Sequence, residues 1–503
     1  MRIGIMTPGS TRNDAVSNDA AGMYMSLKQA GFQVFLLTFN GTSEMGFPAY
    51  SYADASWLLA DPQDLLIYHY CTNDPVALST MRQANCKLAL KYHNVTPSRF
   101  FTAYSDLLTL SCRAGRRLLN EFLELPIEFV LCDSTFNADE ITAAGYPASR
   151  CRVIPPYHHT DRLLMELEEP GTIAYVRESV TNVVTVGRVV PNKGYHLMIE
   201  ALALLKRDGF PRIALQIVGF LDPRLEEYIA ELQHRIDEEE LQDWVHFHPA
   251  TPGNALATFY RGCDLFWTAS QHEGFCVPVV EAMAFGLPVL SSTQGALPET
   301  CADAAIFADT PQEMASALRR LVEDDAWRGN LAQKCRLRAG QFANRMIEMR
   351  FLEFMQEVVE GLPAVDLAIQ DDWFGLPRPE EIDALARDVY DLARVATKGH
   401  RADAVFAVVT GAADRQAASD YFATPDVRRY AEQIATPRLG LRLSPAAKVF
   451  WRFSSFAQQN FPLTTPENLA SFWRWYMRHA NVGLLPLMSP SEQARFALGN
   501  STY

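Results

Sequence analysis

Short apolar runs recur along the first two thirds of the chain and predict buried β-strands. In the first part they stand at 2–6, 34–37, 65–68, 88–92 and 129–132. Between them lie segments with helical periodicity. One of them places Ala20, Met23, Tyr24 and Leu27 on one face at i, i+3, i+4 and i+7. Strands that alternate with helices form βαβ units, so the pattern predicts a parallel sheet covered by helices.

A second series of the same kind begins after a break near Pro170. Its apolar runs stand at 183–186, 213–218, 245–247, 265–268, 289–290 and 305–307. A long amphipathic segment over 342–359 follows as a closing helix. The sequence therefore predicts a second doubly wound domain after the first.

Composition narrows the class of protein. A chain of 503 residues with 48% hydrophobic and 21% charged residues is globular and is long enough for two or three domains. No apolar run approaches the roughly 18 residues of a membrane span, and residues 2–6 read as a strand instead of a signal peptide. Nine cysteines without a C-x-x-C pair suggest a reducing, cytoplasmic compartment. The net charge of −14 argues against nucleic-acid binding.

Residues 264–299 carry the chemistry. An apolar strand ends near Ala269, a loop follows, and Pro278 suits the first position of a helix that Gly286 ends. Glu273 then lies in the loop at the carboxyl end of a strand, and Glu281 lies on the first turn of the helix. Ligands of open α/β sheets bind in this crevice, where helix N–H groups donate to oxygens and carboxylates accept from hydroxyls.

This segment resembles the E-x7-E signature of family-4 retaining glycosyltransferases of the bacterial surface-polysaccharide type. The matching residues are Glu273-Gly274-Phe275 and Glu281-Ala282-Met283, with Gly286 and Pro288 after them. The resemblance covers about residues 1–360. It implies the GT-B fold, in which two doubly wound Rossmann-like α/β domains face a cleft.

The resemblance also implies a domain plan. We assign 1–168 to an acceptor-side domain, 169–345 to a nucleotide-sugar-binding domain, 346–362 to a helix crossing back to the first domain and 363–377 to a linker. Residues 378–503 read as a mostly α-helical accessory domain of unknown role, because several Ser-Pro and Thr-Pro pairs mark helix starts there.

A basic pair follows the first strand of the second series. Gly187-Arg188 ends the strand, and Lys193 precedes the next helix. The pair resembles the two cations that hold the donor diphosphate in the family, where they stabilise the charge of the leaving group. Because no D-x-D pair is present, we expect neither a metal nor another cofactor.

By the same resemblance, Glu281 binds the ribose hydroxyls and Glu273 lies beside the donor sugar. The backbone N–H groups of Gly274, Phe275, Cys276 and Val277 would meet sugar oxygens. Cys276 departs from the small residue, often glycine, that the family has at this position.

Histidines offer a candidate on the acceptor side. His93 follows a strand and resembles the family histidine that faces the reacting sugar, where it would orient a hydroxyl or accept a proton. A lone histidine is more often a packing residue, and we interpret His69, His158 and His159 in that way.

Two further sets are candidate acceptor or phosphate ligands. Asn18 lies where many family members carry a Gly-Gly pair, while its neighbour Asp19 would repel phosphate unless it caps the helix. Arg113, Arg116 and Arg117 share a helix face and would meet an anionic membrane or a lipid-linked diphosphate, with a solvated surface as the alternative.

Together these residues predict a retaining, metal-independent hexosyltransferase. It would move a mannose- or glucose-type hexose from a GDP- or UDP-sugar to a lipid-linked glycan acceptor at the inner face of the cytoplasmic membrane. Transfer to a soluble acceptor is one alternative. It would be favoured if the protein does not bind liposomes. A catalytically silent nucleotide- or glycan-binding scaffold is another, which measurable donor hydrolysis would exclude.

Overall fold

The computed structural model describes residues 1–12, 14–172, 181–249, 251 and 253–358. The predicted linker and the helical accessory domain lie outside these residues. Within them, two parallel sheets follow one another along the chain, so the predicted doubly wound α/β architecture is confirmed.

The first sheet has seven parallel strands in the order β3-β2-β1-β4-β5-β6-β7. They are β1 (Arg2–Thr7), β2 (Gln33–Thr38), β3 (Ala49–Ser51), β4 (Leu65–Tyr70), β5 (Lys87–Tyr92), β6 (Ile127–Cys132) and β7 (Cys151–Val153). The apolar runs predicted β1, β2, β4, β5 and β6. The edge strands β3 and β7 were missed because each has three residues and none of them is buried.

Helices of this first lobe cover both faces of the sheet. They are α1 (Ala15–Gln29), α2 (Ser56–Leu59), α3 (Pro75–Arg82), α4 (Asp106–Leu123) and α5 (Thr135–Ala143), and the short helix α6 (Thr160–Met165) follows them in the chain. Capping side chains lie at the N-termini of several of these helices. Asp14, Ser105 and Ser134 each accept a hydrogen bond from a backbone N–H of the first turn that would otherwise lack a partner.

The second sheet has six parallel strands in the order β10-β9-β8-β11-β12-β13. They are β8 (Thr181–Val186), β9 (Ile213–Val218), β10 (Val245–His248), β11 (Leu265–Thr268), β12 (Val289–Ser291) and β13 (Ala305–Phe307). In both sheets the strand order reverses beside the first strand, between β1 and β4 and between β8 and β11. Such a reversal opens a crevice at the carboxyl ends of the strands.

The second lobe is also helical on both faces. Its helices are α7 (Tyr195–Arg207), α8 (Glu226–Glu238), α9 (Gly253–Gly262), α10 (Val277–Phe285), α11 (Leu297–Cys301), α12 (Pro311–Glu323) and α13 (Asp325–Gly340), and the closing helix is α14 (Asn344–Val358).

Helix α14 packs on the first lobe. Ile347, Phe351 and Met355 are fully buried in the same core cluster as Ile3 and Ile5 of β1. Burying large apolar side chains contributes about 1.5–3 kcal/mol each, so this helix is a substantial tie between the lobes.

Helix α6, in contrast, packs on the second lobe. It lies against α9 and α10 of the second lobe, and Arg261 donates to the carbonyl oxygens of Leu163 and Leu164. The segment that precedes the predicted boundary at residue 168 therefore already contacts the second lobe.

Candidate active site

The two lobes meet at the carboxyl ends of their strands. The Nε2 atom of His272 donates to Asn94 Oδ1 at 3.0 Å, and Ser134 Oγ donates to the carbonyl oxygen of Gly274 at 2.7 Å. A Cβ on Gly274 would come within 3.0–3.1 Å of Asn94 and of the His93 carbonyl oxygen, so glycine permits this close approach. The lobes are closed on each other at this point.

Lys193 and Glu273, two predicted site residues 80 positions apart, form an ion pair with Nζ 2.5 Å from Oε1. Burial would lower the pKa of Lys193, but the Glu273 carboxylate outweighs it and raises that pKa. Gly194 follows with φ of +71°, and a Cβ there would lie 2.1 Å from the Ala269 carbonyl oxygen. Glycine therefore lets the β8–α7 loop lie against the end of β11 and brings Lys193 to Glu273.

Arg188 lies beside this pair at the carboxyl end of β8, after Gly187, and its side chain is exposed. Burial raises the pKa of the Cys71 thiol to about 12, and the Arg188 guanidinium opposes that rise. Cys71 follows β4 of the first lobe, so the Arg188 charge acts across the cleft. A cation in this position can meet an anionic ligand between the lobes.

The N-terminus of α10 forms the floor of the site. Within the described part of the chain, the N–H groups of Gly274, Phe275, Cys276 and Val277 have no hydrogen-bond acceptor. These donors and the positive end of the helix dipole suit ligand oxygens. Cys276 has φ of +75°, a left-handed conformation that favours glycine, which explains why a small residue is usual there.

Helix α10 begins at Val277, one residue before Pro278, which puts Glu281 on the second turn and corrects the predicted first-turn placement. Glu281 is 2% exposed, and its Oε2 accepts from Tyr260 Oη at 2.7 Å. Its other oxygen lies 3.5 Å from His159 Nε2. His159 Nδ1 lies 3.0 Å from Asn18 Nδ2. The structure thus brings Asn18, His159 and Glu281 together.

His93 lies at the carboxyl end of β5, as predicted, but both of its ring nitrogens are engaged inside the first lobe. Nδ1 lies 2.9 Å from Asp133 Oδ2, and Nε2 lies 2.9 Å from His69 Nδ1. The predicted contact of this imidazole with a sugar hydroxyl would require one of these bonds to break. His69 is fully buried against His93.

A buried ion network surrounds these histidines. Lys91 is fully buried on β5, and its Nζ lies 2.7 Å from Asp133 Oδ1 and 3.8 Å from Asp19 Oδ2. Despite burial, which opposes charge, His93 and Lys91 hold the pKa of Asp133 below its usual range. Burial raises the pKa of Asp19, which accepts from the Tyr157 N–H and does not cap α1, where Asp14 is the N-cap. This network was not predicted from the sequence, although a lysine inside an otherwise apolar strand was a signal for it.

Three atoms of this network have the spacing of a metal site. Asp19 Oδ2, His69 Nδ1 and His93 Nε2 all lie within 4.8 Å of one another. The Lys91 ammonium already places a positive charge beside Asp19 Oδ2. A dication would therefore be repelled, and an ion-paired hydrogen-bond network accounts for the same atoms.

Buried neutral histidines make the stability of the fold pH-dependent. Burial lowers the pKa of His158, His248 and His272 to about 4, whereas the unfolded value is about 6.5. The unfolded chain therefore binds more protons below pH 6.5, and the free energy of unfolding falls as the pH drops toward 4. At pH 5 each histidine costs up to about 2 kcal/mol. We expect urea unfolding at pH 7, 6 and 5 to show this loss.

A matched pair of variants isolates the effect. His272→Gln is expected to reduce the dependence on pH by the share of one histidine, because His158 and His248 remain, whereas His234→Gln is expected to leave it unchanged because that side chain is 69% exposed. Equal slopes in all three proteins would show that His272 is not held neutral.

The three arginines of α4 do not act together. Arg116 points inward, donates to the Val95 carbonyl oxygen at 2.7 Å and pairs with Glu140, so it corrects the predicted anion-binding face. Arg113 and Arg117 are exposed, as are two leucines of the same helix, Leu107 at 64% and Leu110 at 61%. None of the described helices is both long and apolar enough to cross a membrane.

The two facing parallel sheets and the cleft between them define the GT-B fold. Residues 176–341 match the family model for glycosyl transferases group 1, which covers the lobe that holds Arg188, Lys193, Glu273 and Glu281.

Curated relatives agree with this class. The chain is 32% identical over 117 residues to mannosylfructose-phosphate synthase of Agrobacterium fabrum, which is 23% of this chain and 26% of the relative. It is 25% identical over 260 residues to O-antigen chain mannosyltransferase B of Escherichia coli, 49% of this chain and 67% of the relative. The aligned regions thus span about a quarter and two thirds of these relatives.

Solved structures agree in fold. The Anabaena protein HepE in complex with UDP and glucose superposes with a TM-score of 0.57 at 19% identity, over 71% of this chain and all of the other.

Proposed function

We propose that the protein is a retaining glycosyltransferase that moves a mannose- or glucose-type hexose from a nucleoside-diphosphate sugar. The observation that carries the proposal is the cluster of Arg188, Lys193 and Glu273 at the end of β8 and β11, next to the free N–H groups of α10. A relative named as a mannosyltransferase and a neighbour that holds UDP and glucose support the same class of donor.

The geometry supports a specific division of labour. The diphosphate would lie between Arg188, Lys193 and the N-terminus of α10, where fixed donors meet the charge that develops on departure. Glu273 would keep its ion pair with Lys193 and would also bind the donor sugar. Since two cations and the helix dipole surround the diphosphate position, we propose that the transfer is independent of metal.

We propose a lipid-linked glycan of a surface polysaccharide as the acceptor, handled at the cytoplasmic face of a membrane. Exposed Leu107 and Leu110 beside Arg113 and Arg117 suit an interface that is apolar and anionic at once. A soluble acceptor is the alternative, and it would leave this face of α4 without a role.

A thermal-shift panel of UDP-, GDP-, ADP- and dTDP-sugars without metal tests the donor. A ligand present at about 100 times its dissociation constant adds about 2.7 kcal/mol, which raises the melting temperature by a few degrees. We expect one class of nucleotide to produce this shift in the wild type and to lose most of it in Glu281→Gln.

Glutamine is the better replacement here because it keeps an acceptor for the buried Tyr260 hydroxyl while it removes the charge. A cleft that binds none of these donors would contradict the proposal. Binding without any hydrolysis or transfer would favour the silent scaffold.

A further inference from the structure

The strongest unassigned feature is the contact of His159 with Glu281. Tyr260 already occupies Oε2 of Glu281, at 2.7 Å, so Oε1 is the oxygen left for a ligand. That oxygen faces His159 Nε2 at 3.5 Å, longer than a good hydrogen bond. The His159 side chain is 23% exposed, so a ligand can reach it.

Asn18 determines which ring nitrogen of His159 carries the hydrogen. Its amide Nδ2 donates to His159 Nδ1 at 3.0 Å, so the neutral ring carries its hydrogen on Nε2. The N–H of His159 and the free carboxylate oxygen of Glu281 therefore stand side by side, one as a donor and the other as an acceptor.

This pairing suits a hydroxyl group. A hydroxyl donates one hydrogen bond and accepts others, so a single hydroxyl can bind Glu281 Oε1 and His159 Nε2 at once. A neighbouring hydroxyl of a cis-diol stays within reach of the same carboxylate. If the hydroxyl that binds both groups is missing, the His159 N–H and Glu281 Oε1 each lose a hydrogen-bond partner in the complex.

The ring is also fixed relative to the carboxylate. His159 immediately precedes α6, which packs on α9 and α10, the helix that carries Glu281. Asn18 holds the ring from α1 of the first lobe. The three residues therefore come from separate elements that the closed fold brings together.

We propose that His159, oriented by Asn18, binds the ribose hydroxyls of the donor together with Glu281 and makes the enzyme select ribonucleotide over deoxyribonucleotide sugars. The inference rests on the proposed function, because it names the part of the donor that this site recognises. It reassigns Asn18 from a phosphate or acceptor ligand to a positioning residue. It predicts UDP-, GDP- or ADP-type donors and disfavours dTDP-type donors.

The test compares nucleotides that differ by one oxygen. Calorimetric titration of the full chain with UDP and GDP, and with their 2′-deoxy and 3′-deoxy analogues, gives the ratio of dissociation constants. For the base that binds, we expect at least one deoxy analogue to bind roughly ten- to a hundredfold more weakly, the loss typical of a hydrogen bond to a charged group.

Variants separate recognition from folding. His159→Ala is expected to weaken the ribonucleotide and leave the affinity for the deoxy analogue unchanged, so that the ratio falls to about three or less. His159→Gln is expected to keep most of the ratio, because its amide can place a donor near the position of Nε2. His234→Ala, an exposed histidine on α8, is the control and should keep the wild-type ratio.

The outcomes distinguish the two levels of the argument. Equal binding of ribo and deoxy nucleotides by the wild type, or an equal loss of both in His159→Ala, would overturn this inference and leave the proposed function standing. Failure of every nucleotide to bind the wild type would overturn both.

Discussion

Arg188→Ala is expected to slow release of the nucleoside diphosphate about a hundred- to a thousandfold. Removing one fixed donor from a site where negative charge develops typically costs about 3–4 kcal/mol of barrier, and Arg188 is an exposed cation at the proposed diphosphate position. Hydrolysis of the donor identified by the thermal-shift panel measures this rate without knowledge of the acceptor.

The matched control is Arg207→Ala at the end of α7. Arg207 makes an exposed ion pair with Glu239, and such pairs contribute about 0–1 kcal/mol to stability, so its rate should equal that of the wild type. Wild-type turnover in Arg188→Ala would rule out the diphosphate assignment. A loss confined to the dissociation constant of the donor would assign Arg188 to binding alone.

Lys193 is a less informative target, although it lies in the same site. It pairs with Glu273 at 2.5 Å, so its removal would also release a carboxylate beside the sugar position. Arg188 has no such partner among the described residues, and its replacement therefore changes fewer interactions.

The fold was predictable where one physical signal dominates a segment. Strands buried on both faces read as apolar runs, as in Leu65–Tyr70, where all six residues are buried. The edge strands Ala49–Ser51 and Cys151–Val153 carry no such run, because edge strands need not be apolar. The packing of α6 on the second lobe was not predictable for a related reason: which surface covers a six-residue helix depends on contacts distant in sequence.

The site was predictable in the lobe where its residues are close in sequence. Glu273 and Glu281 belong to one loop and one helix, so spacing alone places them together. Asn18, His159 and Glu281 are separated by 141 and 122 positions, and only the closed arrangement of the lobes joins them. His93 shows the same limit, since the sequence indicated its place at the end of β5 and not the partners that occupy its nitrogens.

The buried network changes how His93 can contribute to the reaction. Its two ring nitrogens face Asp133 and His69, while its carbonyl oxygen lies against Gly274 across the cleft. We therefore expect the network to fix the backbone at the end of β5, against which the donor loop of the second lobe closes.

Lys91→Met is accordingly expected to have the largest effect on stability. Lys91 is fully buried between Asp133 and Asp19, and removing one partner of a buried ion pair leaves uncompensated charge that costs about 3–5 kcal/mol. Chemical denaturation at pH 8 measures this loss. The exposed Lys87 at the start of the same strand gives the matched control, Lys87→Met, for which less than about 0.5 kcal/mol is expected.

A double variant separates lost charge from lost packing. In Lys91→Met/Asp133→Asn the carboxylate that pairs with the ammonium has become neutral, so the total loss should be smaller than the sum of the two single losses. The loss in Lys91→Met should also shrink at pH 5, because the orphaned carboxylates can then take up protons. Strict additivity at both pH values would mean that Lys91 acts through the packing of its aliphatic chain, and that the charges around His93 are balanced without it.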